Sequence, residues 1–361
     1  VDVASLLKRP VAELMAEASA RRDKAWGRTI TYSPKAFLPV TNLCRNRCDY
    51  CTFRKNPTWD GAHTMSPDEV MQVLRTSRDA GCIEALLCLG DQPEAVFDSY
   101  RRQLADWGFD STVAYLEWIS LAALELGMLP HTNAGVLSHD EMARLRPVNA
   151  SLGLMLENVS PRLCEKGMPH HRAPDKRPER RLAMHREAGE LKIPFTSGLL
   201  IGIGETPEEQ LETLVAIAEV HSQYGHIQEV IVQNFRTKPT IPMAGAPEPQ
   251  DLEIARAVAW ARLVLPDEVT VQAPPNLNPA ALELLVDAGI NDLGGISPVT
   301  PDFINPGHPW PHLDALSERL AARDFGLSPR LPIHASYVVG PEWVAPSMRP
   351  HIQRALEQVP C

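Results

Sequence analysis

Eight times along this chain an apolar run of β-type residues is followed by a loop and a helical segment, and that alternation restricts the fold more than any other feature. The runs are Ala36–Val40, Glu84–Leu89, Leu129–Asn133, Ser151–Leu156, Pro194–Ile201, Glu229–Asn234, Val269–Ala273 and Asn291–Ile296. Several intervening helices announce their starts. Ser66-Pro67-Asp68-Glu69 and Thr206-Pro207-Glu208-Glu209 each offer a capping hydroxyl, a proline at the first helical position and a glutamate at the third. Ser138 with Glu141 is a third capping box, and Asn278-Pro279 is expected to open another helix. The stops are expected at Ala80-Gly81, Ala188-Gly189 and Ala288-Gly289, where glycine can take the left-handed conformation. Strands this apolar, alternating with amphipathic helices, imply a parallel sheet covered on its outer face. Eight such units in one chain point to a (β/α)8 TIM-type barrel rather than an open sheet.

No Ser/Gly linker divides the chain, and its 33 prolines are scattered through loops, so one barrel domain over 1–361 is expected. Its core would run from about 31 to 311, with a helical extension at 1–30 and a helical or irregular one at 312–361. A net charge of −10 argues against a non-specific binder of nucleic acid or anionic membrane. No apolar run approaches the roughly 20 residues of a membrane-spanning helix, and the first residues lack a signal-peptide core. The start at Val1 rather than Met fits a trimmed chain or a part of a longer polypeptide. Seven cysteines, an odd number with three clustered, do not suit a secreted disulfide framework and imply a reducing cytoplasm.

In a barrel of this kind, chemistry sits on the loops after the strands. Directly after the first run comes "TNLCRNRCDYCTF", with Cys44, Cys48 and Cys51 in one short cationic loop. Structural zinc needs four protein ligands, and C-x3-C-x2-C has no partner pair downstream. Cys82 and Cys88 lie around the second run, where at least one should point into packing, and nothing fixes His63 as a ligand. An iron–sulfur cubane fits better, because thiolates at short spacing in one loop can hold it. Three ligands leave one iron open to chelate a small molecule through an amine and a carboxylate. Arg45, Arg47 and Arg54 would offset the cluster's negative charge, and Tyr50 would place a ring beside whatever binds the open iron. Cys164 and Cys361 look like bystanders.

"CRNRCDYC" resembles the signature loop of radical S-adenosylmethionine (SAM) enzymes. The resemblance implies a 4Fe–4S cluster on Cys44, Cys48 and Cys51, with SAM on the open iron. An electron supplied from outside would then cleave SAM to methionine and a 5′-deoxyadenosyl radical. "LGDQPE" (Leu89–Glu94) sits where the family has a Gly-Gly-Glu-like turn whose backbone receives the methionine amino group. Gly90-Asp91 departs from that pattern, which weakens any role for the Asp91 side chain. Glu157 occupies the place of a polar contact to ribose or methionine, and Gly202 and Gly204 in "LLIGIGET" resemble the element along the adenine. Read bottom-up, the same glycines could serve a tight turn alone.

The segments "LPHTNAG", "IPFTSGLLIGIGET", "HIQEVIVQNFRTK", "VQAPPNLNP" and "DLGGISPVTPDFINPGHPWP" extend the resemblance, in order, from about Thr31 to Pro311. They are similar to the FO synthase family, in particular its ring-closing component. This implies a cytoplasmic lyase that cyclises an adduct of tyrosine and 5-amino-6-ribitylaminouracil with loss of ammonia. The product would be 7,8-didemethyl-8-hydroxy-5-deazariboflavin (FO), a precursor of coenzyme F-420. A partner radical-SAM subunit, or the other half of a fused enzyme, would supply the adduct. Asn133, Gln233, Asn234, Gln272 and Asn276 are amides at strand ends, suited to a pyrimidine edge or ribityl hydroxyls. For each, a buried amide serving a loop backbone is the competing explanation, and turns or caps are the default for Asp292, Ser297, Asp302 and Asn305. His131 and Glu205 are weak candidates for proton transfer. Relatives that use tyrosine, or that act in menaquinone synthesis, carry a His-Ala-Phe-Ser-Pro-like segment where this chain has "PHTNAG". A non-catalytic iron–sulfur carrier would need no barrel cavity.

Overall fold

The alternating pattern closes on itself in the computed structural model, which describes residues 2–359; Cys361 lies outside them. Eight parallel strands form the ring: β1 (Thr29–Thr41), β2 (Glu84–Leu89), β3 (Leu129–Asn133), β4 (Ser151–Gly153), β5 (Phe195–Ile201), β6 (Ile227–Asn234), β7 (Thr270–Gln272) and β8 (Asp292–Ile296). Each pairs with the next, and β1 closes the ring by pairing with β2 from Lys35↔Glu84 to Thr41↔Leu89 and with β8 from Thr31↔Asp292 to Pro34↔Ile296. Because all run in one direction, their C-terminal ends share one rim. The barrel is thinnest around β7, where Gln272↔Asp292 alone pairs it with β8.

The three expected capping boxes all form, at Ser66–Glu69, Ser138–Glu141 and Thr206–Glu209. Gly81 and Gly289 take positive φ as expected. Two expectations fail locally. The helix over Pro178–Glu190 runs through Gly189, which is small because a Cβ there would lie 2.5 Å from Cγ of Tyr224; Lys192 makes the left-handed turn instead. Asn278 opens no helix: the next one spans Leu282–Asp287, and the Asn278 amide donates to Oδ1 of Asn234 at 2.8 Å and to the Pro274 carbonyl. Cys164 lies in a short 3-10 segment, Pro161–Cys164, not in an α-helix.

Apolar burial lies mainly between the strands and their outer helices, with Leu74, Tyr115, Leu214, Ile217 and Trp260 among the residues packed there. The N-terminal extension is helical as expected, over Val3–Lys8 and Val11–Trp26. Its Arg22 is buried and caps the helix ending at Asp287 by donating to the carbonyls of Val286 and Ile290.

The C-terminal extension differs from expectation, because it adds a ninth parallel strand, β9 (Gly326–Pro329), beside the first residues of β1. β1 begins seven residues before the apolar run that marks it because β9 pairs with Thr29–Tyr32 and β8 with Thr31–Pro34. The chain then crosses the barrel floor. Arg330 donates to both carboxylate oxygens of Asp292 (2.6 and 2.9 Å) and to Oε1 of Glu229 (2.8 Å). The Pro332 carbonyl accepts from Ser151 and Gln228. Unlike the apolar filling common in such barrels, the interior here is polar, with Lys35, Glu84, His131, Glu229, Gln272 and Arg330 around one cavity.

Candidate active site

The cysteine loop is fixed by backbone hydrogen bonds to three other rim loops. Arg45 N–H donates to the Asp91 carbonyl after β2 at 3.1 Å. Arg47 and Asp49 donate to the carbonyls of Arg172 and Pro169 in the long loop after β4, and the Asp49 carbonyl accepts from Met243 after β6. Side chains reinforce this. Arg45 forks onto the buried Asp175 carboxylate, and Asn46 accepts from Asp175 N–H while donating to Oδ2 of Asp91.

Gly90 is the crossing point between β2 and this loop. A Cβ on it would stand 2.0 Å from the Leu43 carbonyl oxygen and 2.7 Å from Cβ of Cys44. The next residue presents its backbone N–H to Sγ of Cys44 at 3.1 Å. The Asp91 carboxylate turns away from the sulfur, accepting from Val136 N–H and Asn46, and occupies the space left by Gly135. Burial, with Asp175 next in effect, raises it to about 6. Its visible role is to join the loops after β1, β2 and β3, as the weakened expectation for its side chain allowed.

Cys44, Cys48 and Cys51 line one cavity of about 240 Å³ at the rim. Burial pushes the Cys44 thiol up to about 12 and raises Cys48 as well, so neither is a ready nucleophile in isolation. A bound iron supplies the positive charge that makes such a sulfur a thiolate. Among the described residues no three His, Cys, Asp or Glu side chains are grouped to hold a single metal ion. Three thiols around one cavity fit a cubane, three of whose four irons would each take one cysteine sulfur, better than tetrahedral zinc. Arg54, Lys176, Arg181, Arg236 and Lys238 line the same cavity and suit an anionic occupant.

Tyr50, Asn133, Glu157, Gln233 and Asn234 share this cavity with the thiols. The Tyr50 hydroxyl sits 2.9 Å from Nε2 of His170 and donates to Glu157 at 3.3 Å. Glu157 holds a left-handed backbone (φ 68), an uncommon state for a non-glycine and one that collects at functional sites. It directly follows the fourth apolar run; β4 itself stops at Gly153, short of the expected Leu156. Burial alone would raise the Glu157 carboxyl, but Lys176, then Arg181 and His170, overcome that and hold it down to about 2. Lys176 also hydrogen-bonds Glu157 directly.

Other expected site residues lie elsewhere. Gly202 and Gly204 have positive φ (89 and 108) in a tight turn, and Glu205 closes that turn by accepting from the N–H groups of Gly202 (2.8 Å) and Ile203 (2.9 Å). None of the three lines the thiol cavity. His131 lies down in the barrel interior, its Nδ1 2.6 Å from the Ser151 hydroxyl, and burial lowers it to about 4, so its imidazole is neutral. Gln272 and Asn276 line a neighbouring cavity that shares Gln233, Ile304 and Asn305 with the thiol cavity. Oε1 of Gln272, Oδ1 of Asn276 and Nδ2 of Asn234 are buried without partners among the described residues. Ser297 and Asp302 do cap their own turn, as their residue types suggest.

The sequence reading missed His170, Asp175, Lys176 and Arg181. Their one local signal was the basic run "HHRAPDKRPERR" after the fourth strand. It also missed that Cys88 faces the cavity, whereas Cys82 is packed away.

Comparison with known proteins agrees with this geometry. The Radical SAM superfamily pattern matches residues 38–217. The chain is 50% identical over 310 residues to 7,8-didemethyl-8-hydroxy-5-deazariboflavin synthase of Methanopyrus kandleri, covering 86% of this chain and 92% of that protein. It is 47% identical over 343 residues to FO synthase of Mycobacterium tuberculosis (strain CDC 1551 / Oshkosh), covering 92% of this chain but only 40% of that protein. Among solved structures, the FeFe-hydrogenase maturase HydG of Carboxydothermus hydrogenoformans shares the fold, with a TM-score of 0.73 and 20% identity. That alignment covers 99% of this chain and 80% of the maturase.

Proposed function

The chain belongs to the radical SAM superfamily and, within it, to the 7,8-didemethyl-8-hydroxy-5-deazariboflavin synthases, and we propose that it catalyses the ring closure that forms FO. The substrate is the adduct of tyrosine and 5-amino-6-ribitylaminouracil, supplied by a partner radical-SAM enzyme or a second part of a longer chain, and ammonia leaves. The observation that carries this reading is the run of cavities from the three thiols to unpaired amides inside the barrel. It joins a cluster site to a compartment suited to a polar, planar substrate.

The family's cofactors are a 4Fe–4S cluster and SAM, which together, given an electron from an external donor, supply a 5′-deoxyadenosyl radical that removes hydrogen from the substrate. Cys44, Cys48 and Cys51 would hold the cluster. The cations lining the cavity would offset its charge, and Arg45–Asp175 locks the loop. Leu89, Gly90 and Asp91 line the thiol cavity beside the cysteine loop, where backbone carbonyls of that turn would accept from the amino group of SAM. Tyr50 and Glu157 form one wall; with its carboxylate ionised, Glu157 can accept from a hydroxyl or ammonium of SAM. Gln233, Gln272 and Asn276 offer amide partners to the pyrimidine edge and ribityl chain. The neutral His131 can accept a proton at its free ring nitrogen.

The test is anaerobic reconstitution with iron and sulfide, followed by reduction in the presence of SAM and the adduct. Fluorescent FO is expected together with 5′-deoxyadenosine and methionine. FO formation from tyrosine and the diaminouracil alone would reassign the chain to the tyrosine-using partner. No 5′-deoxyadenosine from fully loaded protein would remove the radical-enzyme reading.

A further inference from the structure

Lys35 stands midway along β1 with 8% of its surface exposed, inside the barrel and below the thiols. Its ammonium has no hydrogen-bond or ion-pair partner among the described residues. The acidic groups that face it are Glu84, Asp302 and Glu229, beside the thiol of Cys88, which burial keeps protonated, and burial lowers its proton affinity despite them. Those acids are engaged elsewhere. Glu84 accepts from the Ser33 hydroxyl, Glu229 from Arg330 and Thr196, and Asp302 from Asn276 and two backbone N–H groups.

The ammonium is nevertheless held in place. It lies 4.7 Å from the ring centroid of Trp310 and 5.5 Å from that of Phe37, within range of cation–π attraction. Trp310 is itself fixed, its indole N–H donating to the Thr300 carbonyl at 3.0 Å, while the Thr300 hydroxyl accepts from Phe37 N–H at 2.9 Å. Gly295 leaves room for the lysine: a Cβ there would stand 2.0 Å from Cδ and 2.7 Å from Nζ of Lys35. Gly294 does the same for Gln272, whose Nε2 would be 1.8 Å from an added Cβ. Gly295 of β8 and the distant Trp310 thus build a seat for one lysine, with Gln272 set beside it by Gly294.

Lys35 lines both the interior cavity and the neighbouring amide-lined cavity, and each shares residues with the thiol cavity. An ammonium this far buried and without a protein partner is costly unless something in the cavity binds it. We propose that Lys35 is the cation that recognises the substrate, donating to an oxygen of its planar ring system, either a pyrimidine carbonyl or the phenolic oxygen. Gln233 and Gln272 flank that contact. This assignment rests on the ring-closing reading above.

The test uses FO as the probe, bound to reconstituted protein without SAM and followed by fluorescence anisotropy. Lys35→Met is expected to weaken FO binding about tenfold or more through loss of a charge-assisted hydrogen bond, with iron and sulfide content at the wild-type level. Lys35→Arg should restore part of the affinity. Gly295→Ala displaces the ammonium from the opposite side and is expected to weaken FO binding as well, which covers the case of a Lys35 variant that does not fold. A pH series on bound FO separates the two oxygens. If the phenolic oxygen is the partner, its ionisation lies at lower pH in wild type than in Lys35→Met; if a carbonyl is, the two ionise alike while affinity still falls. Binding of FO to Lys35→Met within twofold of wild type overturns the assignment. Wild-type protein that neither binds nor forms FO overturns the ring-closing reading instead.

Discussion

Replacing Gly90 with alanine tests how the cluster loop is built. The added Cβ would meet the Leu43 carbonyl oxygen at 2.0 Å, where ordinary contact begins at 3.4 Å, so the loop has to retreat by about 1.4 Å. No rotamer change relieves this, since the nearest atom is backbone and the next side-chain atom is Cβ of Cys44 itself. Overpacking of this kind costs roughly 1–3 kcal/mol. In a chain of this length each kcal/mol moves Tm by only about 1 °C. The functional cost is larger, because the displaced segment carries Cys44 and the Asp91 N–H that meets its sulfur. Iron and sulfide bound per chain should fall to less than about half, and 5′-deoxyadenosine formation about tenfold or more, with circular dichroism and Tm nearly unchanged. Gly108→Ala is the control: Gly108 has φ 88 but open space around its Cβ position, so it bears backbone strain without a clash. The reasoning is refuted if Gly90→Ala loads a full cluster and cleaves SAM normally, or if Gly108→Ala loses the cluster equally.

Arg330→Met leaves Asp292 and Glu229 on the barrel floor without their cation; urea unfolding should show a loss of about 3–5 kcal/mol, partly recovered by adding Asp292→Asn. Cys48→Ala should abolish cluster assembly and 5′-deoxyadenosine formation, whereas the packed Cys82→Ala should keep full iron content, as read by metal analysis. Glu209, bonded to Arg162 and Ser160, is held down to about 2, below its unfolded value near 4.5. Its contribution is therefore present above about pH 4.5 and is lost as pH falls toward 2. Arg162→Ala should flatten that acid limb of the stability curve, by less than about 1 kcal/mol because Arg162 is 38% exposed, and an unchanged limb would contradict the pairing.

The sequence by itself determined the barrel and the place of its chemistry. The period of apolar runs, the Ser/Thr-x-x-Glu caps and the cysteine spacing are written within a few residues of one another, and local backbone physics reads them without the rest of the chain. All eight ring strands fall where those runs lie, with boundaries that shift: β9 pairs with the start of β1, and β4 ends three residues before Leu156. Tertiary structure decided what depends on residues far apart in sequence. Asp175 meets Arg45 across 130 positions, Trp310 reaches Lys35 from the loop after β8, and Arg330 closes the floor onto Asp292 and Glu229. No periodicity marks these partners. A buried charge is placed by what surrounds it in space, and closure of the barrel brings those surroundings together.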